Sequence, residues 1–79
     1  MPLSQQLRKA RDLLSWSLAE ASERTGLPSS IIARAEIGEG APDITLVQLA
    51  CLQGALEAAG VKIGYDGTVV LAREAPLQG

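Results

Sequence analysis

The sequence predicts a mainly α-helical domain that ends in a short β-hairpin. Residues with high helix propensity dominate up to about residue 59, and Ala and Leu supply most of the 47% apolar fraction. The chain contains no Phe, which favours thin, closely packed helices over a thick aromatic core. Beyond that point the apolar pattern changes from helical to alternating around Asp66-Gly67, a dipeptide typical of hairpin turns. With 79 residues, the chain is the size of one small domain.

The first helix is predicted to run to about Leu14. Leu3, Leu7, Ala10 and Leu14 recur at the spacing of one face of a helix. Ser4 is the candidate cap at its start, because a serine hydroxyl can accept a hydrogen bond from a free backbone N–H of the first turn.

The next segment has the pattern of two short helices joined by a turn. The sequence SLAE has the form of a capping box, in which the Ser17 hydroxyl accepts the N–H of Glu20 and the Glu20 carboxylate reaches back. Gly26 suits the left-handed conformation that ends a helix, and Pro28 suits the start of the next one, at residues 29–36. Two short helices around a glycine-containing turn form a helix-turn-helix pattern.

A fourth helix is predicted between a Gly- and Pro-containing loop and Gly60. Asp43 or Thr45 is expected to cap it. Gly54 marks either a close helix contact or a break, and Cys51 is expected to be a small core residue. The predicted core stripe consists of Leu46, Leu49, Leu52 or Gln53, Leu56 and Ala59.

A two-residue turn at Asp66-Gly67 sets the predicted pairing of the hairpin. The expected partners are Tyr65 and Thr68, Ile63 and Val70, and Val61 and Ala72. This register makes both faces of the hairpin at least partly apolar, and an isolated hairpin is marginal in water. We therefore expect a homodimer whose hairpins pair or pack across a two-fold axis. The expected dimer contacts are Val61, Ile63, Tyr65, Val69, Val70 and Leu71.

The expected organisation is therefore one helical domain with two short additions. Residues 1–60 form the helix-turn-helix domain and residues 61–73 form the hairpin, the dimerisation element. Residues 74–79 are expected to be a flexible tail.

Composition excludes several classes of function. With no His and a single Cys, a zinc site and a His-based triad are impossible, so we expect no catalytic residue, metal or cofactor. No apolar run approaches the roughly 18–20 residues that span a bilayer, and the start lacks a secretion signal, so a cytoplasmic protein without a membrane partner is expected. The net charge of −2 argues against strong non-specific nucleic-acid binding but allows a local basic face.

Most of the chain resembles a known family. The stretch LRKARDLLSWSLAEASERTGLPSSIIARAEIGEGAP is similar to the XRE-type helix-turn-helix of phage Cro and repressor proteins and of bacterial regulators. The following LQGALEAAGVKIGYDGTVVLA resembles the ending of many small bacterial members. The resemblance implies a lambda-repressor-like domain of four or five helices. The matching positions are Arg11, Trp16, Ser17, Ala19, Glu20, Gly26, Ile32, Arg34, Glu36, Gly38 and Pro42.

The resemblance also implies a function and a set of site residues. Members of this size bind double-stranded DNA, usually as homodimers and often as repressors, with the third helix in the major groove. An ion pair between Arg11 and Glu36 is implied between the first and third helices. The implied base contacts are Ser29, Ser30, Ile31 and Arg34, and the implied backbone contacts are Arg8, Arg11 and Ser17.

Two hypotheses of function follow from these observations. The first is a sequence-specific DNA-binding regulator, which the intact turn and Arg34 favour. The second is a protein-interaction module, an antitoxin-like or antirepressor subunit that keeps the fold and acts through a protein partner. Net acidity favours the second, as does Leu18, which stands where the family often has a phosphate-contacting Gln.

Overall fold

The computed structural model describes residues 2–38, 40–64 and 67–71, and within these ranges four helices precede a two-stranded antiparallel sheet. The elements are α1 (Leu3–Leu13), α2 (Leu18–Thr25), α3 (Ser29–Glu36), α4 (Leu46–Ala58), β1 (Val61–Ile63) and β2 (Val69–Leu71). The predicted fold class, a mainly α domain with a C-terminal hairpin, is confirmed.

Side-chain caps define the starts of α2 and α4. The Ser17 hydroxyl accepts a hydrogen bond from the Glu20 N–H at 3.0 Å, as the sequence predicts. The predicted return bond to Ser17 is wrong, because the Glu20 carboxylate pairs with Arg24 instead. At α4, Thr45 and Gln48 form a full capping box: the Gln48 N–H donates to Thr45 Oγ1 and the Thr45 N–H donates to Gln48 Oε1, both at 3.0 Å. Of the two predicted caps of α4, Thr45 is therefore the one used, and Asp43 is not.

The predicted cap at the start of α1 is wrong. The helix begins at Leu3 after Pro2, and Ser4 lies inside it, fully buried. Both the backbone N–H and the hydroxyl of Ser4 donate to the Gly40 carbonyl, at 3.3 and 2.9 Å. A backbone N–H in the first turn of a helix has no partner within the helix, so Ser4 uses it to attach the α3–α4 loop to α1.

One apolar core lies where the four helices and the hairpin meet. Trp16, at the junction of α1 and α2, is 9% exposed and belongs to this core. The fully buried alanines of α1, α2 and α3 allow these short helices to pack closely. The buried apolar residues are Leu7, Ala10, Leu14, Trp16, Ala21, Ile32, Ala35, Leu52, Leu56, Val61 and Val69.

The register of the hairpin differs by one residue from the prediction. The observed partners are Val61 and Leu71, Lys62 and Val70, and Ile63 and Val69. The Gly64 N–H donates to the Thr68 carbonyl at 2.8 Å, so the loop between these paired residues has three members instead of two. Gly67, the last of them, has a φ of +91°, which is the conformation that a three-residue hairpin loop requires there.

The observed register gives the hairpin one apolar face instead of two, because a shift by one residue exchanges the faces of a strand. The inner face packs against α1 and α4 and consists of Val61, Ile63, Val69 and Leu71. On the outer face, Lys62 lies opposite Val70, which is 51% exposed. Of the predicted dimer contacts, Val61 and Val69 are thus buried in the chain's own core, and Tyr65 lies outside the described residues. Ala72 and the predicted tail at 74–79 also lie outside them.

Helix α4 is continuous, and it exposes residues that the sequence assigns to the core. Gly54 does not break the helix, and a Cβ atom added there would meet nothing within 4 Å. Leu46 is 82% exposed and Cys51 is also exposed, so the predictions for both are wrong. The physical reason is that α4 is apolar on nearly every side, so its sequence does not indicate which side faces the core; Leu52 and Leu56 occupy it.

Candidate nucleic-acid interface

The turn between α2 and α3 is fixed by hydrogen bonds within its own few residues. Gly26 has a φ of +79°, and its N–H donates to the Ser22 carbonyl at 2.9 Å. The Thr25 hydroxyl donates to the Ala21 carbonyl at 2.8 Å and accepts from the Leu27 N–H at 3.1 Å. The Ser22 hydroxyl donates to the Leu27 carbonyl at 2.6 Å. Sequence reasoning identified Gly26 but missed these two hydroxyls, whose signal is a Ser and a Thr placed just before a turn glycine.

Helix α3 is attached to the domain along one side and exposes the other. Ile32 and Ala35 have no exposed surface, and α3 packs against α1 and α2. Ser29, Ser30 and Arg34 are exposed. The structure therefore brings three of the four predicted base-contacting side chains to the solvent-facing side of one helix whose other side is fixed.

Ile31, the fourth predicted base contact, is placed differently. It is half-buried, so only part of its side chain is available to a ligand. Its backbone N–H donates to the Pro28 carbonyl at 3.0 Å, which starts the first turn of α3. Ile37, directly after the helix, is a large apolar residue that is 72% exposed.

A part-buried ion pair joins α1 to the end of α3. Arg11 Nε donates to Glu36 Oε2 at 2.8 Å and Arg11 Nη2 donates to Glu36 Oε1 at 2.9 Å, a two-bond geometry typical of Arg and carboxylate. Arg11 Nη1 also donates to the Trp16 carbonyl at 2.8 Å. The side chains of Arg11 and Glu36 are only 16% and 8% exposed. The pair implied by the resemblance is therefore present, and it fixes α3 relative to α1 and the start of α2.

The ion pair affects the charge state and the reach of Arg11. The hydrogen bond to Glu36 raises the pKa of the Arg11 guanidinium above its usual value, although burial opposes this. The stability gained is thus complete at neutral pH, and it is lost only as the pH rises through the raised pKa, far above neutral. Because all three nitrogens of the guanidinium donate hydrogen bonds within the chain, the Arg11 side chain has little surface left for a phosphate contact.

The other cationic side chains differ in whether they form an ion pair. Arg24 Nε donates to Glu20 Oε2 at 2.7 Å, so the Glu20 carboxylate pairs with Arg24 on the exposed side of α2. The Arg24 guanidinium also lies 5.3 Å from the centre of the Trp16 ring, a cation–π distance that sequence reasoning missed. In the described parts of the chain, the cations without an ion pair are Arg8, Lys9, Arg34 and Lys62.

The described ranges contain neither a metal-binding cluster nor a membrane-spanning helix. No group of three or more His, Cys, Asp or Glu side chains there is placed to hold a metal ion. None of the four helices is long and apolar enough to cross a membrane.

These features define a helix-turn-helix domain, and comparison with protein families agrees. A family model described as helix-turn-helix matches residues 7–51, more than half of the chain. The chain belongs to this family, that of the XRE-type regulators, and is a DNA-binding helix-turn-helix protein. Comparison with curated proteins gives no match, and comparison with solved structures gives none.

Proposed function

We propose that this protein is a sequence-specific regulator of transcription, a repressor of prokaryotic or phage type, that acts as a homodimer in the cytoplasm. Helix α3 enters the major groove of double-stranded DNA and reads base edges there. The observation that carries the proposal is the orientation of α3, with one side fully buried at Ile32 and Ala35 and the other exposing Ser29, Ser30 and Arg34.

The exposed side chains of α3 have the chemistry of base readout. A guanidinium can donate two parallel hydrogen bonds to the O6 and N7 atoms of guanine, and Arg34 has no ion pair to give up first. The hydroxyls of Ser29 and Ser30 can donate or accept, and so can contact several bases or a phosphate. The exposed part of Ile31 offers an apolar contact to a thymine methyl group.

Contacts to the DNA backbone are proposed for Arg8 and Ser17. Arg8 is exposed on α1 and unpaired, and Ser17 stands at the start of α2. The Ser17 oxygen accepts from Glu20, which leaves its hydrogen free to donate to a phosphate, and a helix N-terminus favours an anion. Arg11 contributes mainly by fixing α3, because its guanidinium is engaged with Glu36.

Selection from a pool of random duplexes tests the proposal. We expect enrichment of a near-palindromic sequence with half-sites about one helical turn apart, because two copies related by a two-fold axis read two half-sites. The selected duplex should bind more tightly than random DNA at physiological salt. If no duplex is enriched over random DNA, the regulator is ruled out.

Three single-charge substitutions then separate base contacts from backbone contacts. Arg34→Ala should weaken binding to the selected duplex by about 1–3 kcal/mol and relax the preference at one base position. Arg8→Ala should weaken binding to all duplexes alike and reduce the slope of affinity against salt by about one phosphate contact. Lys62→Ala is the matched control, since it removes an exposed, unpaired charge from the hairpin. A loss of affinity with Lys62→Ala equal to that with Arg34→Ala would show that only total charge matters.

A protein-interaction module remains the second candidate function. Ile37, 72% exposed directly after α3, favours it because a large apolar side chain suits a protein contact better than a phosphate contact. The same selection separates the two candidates. If no duplex is enriched and Arg34→Ala leaves binding to random DNA unchanged, α3 is not a DNA reader and the second candidate is favoured.

A further inference from the structure

The side of α4 that faces solvent is apolar, unlike the solvent-facing sides of the other helices. Val47 is 74% exposed, and Ala50, Cys51, Gly54 and Ala58 are exposed with it on the side opposite to the core. We call these five residues the α4 outer face; Leu46, 82% exposed, lies at its edge. Of the exposed residues of α4, Glu57 alone carries a charge.

The exposed residues of α1 and α2 are more polar than those of the α4 outer face. The exposed residues of α1 are Gln5, Arg8, Lys9 and Asp12, all polar. Those of α2 include Glu23 and Arg24, of opposite charge. Helices on a protein surface usually carry charged and polar residues on the outside, and one that is apolar all round is usually covered. The α4 outer face therefore has the composition of a covered surface.

We propose that a second copy of this chain covers the α4 outer face, so that two α4 helices pack across a two-fold axis. This proposal deepens the homodimer of the proposed function by giving its contact surface. Across a two-fold axis one patch meets its own copy, so any net charge on the patch would oppose itself. In a chain of net charge −2, an outer face whose five residues are all uncharged satisfies this condition.

The arrangement of side-chain sizes on α4 also suits contact with itself. Ala50, Gly54 and Ala58 stand four residues apart and form a shallow groove along the helix. Val47 and Cys51, also four apart, form the neighbouring ridge. When two such helices cross, the ridge of one copy can enter the groove of the other, which is the commonest helix packing in globular proteins. Within the described residues, a Cβ added at Gly54 would meet nothing within 4 Å, so the packing of these residues does not explain the missing side chain.

The size of the face sets the expected strength of the dimer. A 13-residue helix is about 20 Å long and about 10 Å wide, a footprint of roughly 200 Å² per copy. This is well below the roughly 800 Å² per partner of a standard stable interface, so we expect a weak dimer that forms only at high protein concentration. The proposed contact uses none of the exposed residues of α3, which are Ser29, Ser30 and Arg34.

Sedimentation without DNA tests the proposal independently of DNA binding. Between about 5 and 500 µM, the mass of the native chain should rise from that of one copy toward that of two, because the expected dimer is weak. Gly54→Glu should weaken the association at least tenfold by placing two carboxylates across the axis, and circular dichroism checks that the variant is folded. Val70→Glu, on the outer face of the hairpin, is the matched control and should leave association unchanged. A native chain that stays monomeric throughout would overturn the proposal, as would loss of the dimer with Val70→Glu and not with Gly54→Glu.

The single cysteine of the chain gives a second measurement. Cys51 belongs to the α4 outer face, so a short bismaleimide should link two native copies at high concentration. Gly54→Glu should reduce the linked product to the level of the native chain in denaturant, where only random collision occurs. Equal yields for the native chain, folded or denatured, would contradict the proposed contact.

Discussion

The helix-turn-helix and the segment after it, α4 with the hairpin, are held in place by different kinds of interaction. In the first, hydroxyls of Ser17, Ser22 and Thr25 bond to nearby backbone groups, and the Arg11–Glu36 pair fixes α3 to α1. In the second, the hairpin lies against α1 and α4 mainly through apolar side chains, with one side-chain hydrogen bond, from Gln6 to the Gly64 carbonyl. Polar bonds fix angles closely, whereas apolar contacts mainly require area. The region that positions α3, the proposed DNA reader, therefore uses the more directional interaction.

The largest expected effect that tests this comparison comes from the ion pair of the first region. Arg11→Ala leaves the Glu36 carboxylate, 8% exposed, without its partner, and should lower the free energy of unfolding by about 3 kcal/mol. Arg24→Ala is the control, because it removes an exposed arginine from an exposed pair and should cost about 1 kcal/mol or less. Urea unfolding followed by circular dichroism measures both. Equal costs would mean that burial of the Arg11–Glu36 pair adds nothing.

Two glycine substitutions, one in each region, should have opposite signs. Gly26→Ala should cost about 1–2 kcal/mol, because Gly26 has a φ of +79° and a Cβ is strained in that conformation. Gly54→Ala should stabilise by about 0.5–1 kcal/mol, because Gly54 lies inside a helix with open space around it. The difference between the two midpoints of urea unfolding is the measurement. Measured at a concentration at which the chain is monomeric, destabilisation by Gly54→Ala would mean that the added Cβ meets a neighbour within this chain.

The smallest expected effects concern the two helix caps, where the regions should behave alike. Ser17→Ala and Thr45→Ala should each lower the free energy of unfolding by about 1 kcal/mol, since each hydroxyl accepts a first-turn N–H. Asp43→Ala is the control and should have nearly no effect, because Asp43 caps no helix. Thermal unfolding of the three variants measures how much stability each one loses. A loss with Asp43→Ala equal to that with Thr45→Ala would contradict the observed cap.

The sequence predicted the first region better than the second for a physical reason. A cap at Ser17 and a left-handed residue at Gly26 depend on a few neighbouring residues, so a short pattern predicts them. The direction in which α4 faces depends on what packs against it, and its nearly uniform apolar composition carries no such information. Leu46 and Cys51 were therefore assigned to the core in error.

The hairpin and the start of α1 also depend on tertiary packing that a local sequence pattern does not indicate. The Asp66-Gly67 signal fits both a two-residue and a three-residue loop, since each needs a positive φ at Gly67. Only the packing of the strands on the core distinguishes them. Likewise, Gln6 is a polar residue of α1, yet it is 6% exposed and its Nε2 donates to the Gly64 carbonyl at 3.1 Å. Such a bond across 58 residues leaves no local pattern in the sequence.

The site itself was predicted in outline from the sequence. The exposure of Ser29, Ser30 and Arg34 follows from the helical spacing of Ile32 and Ala35, and the structure shows the same arrangement. The ion pair of Arg11 could not be derived from spacing, because 25 residues separate it from Glu36, and it came from the family resemblance alone. Which bases α3 contacts depends on the DNA partner, which a single chain does not specify.

The position of Trp16 gives the protein an intrinsic optical probe. It is the only tryptophan of the chain, and it lies beneath the Arg24 guanidinium beside Ala55 and Ala58 of α4. Its emission therefore reports on the junction between the two regions, while far-ultraviolet dichroism reports on all the helices together. If both signals change at the same urea concentration, the reader helix and the proposed dimer helix unfold as one cooperative unit.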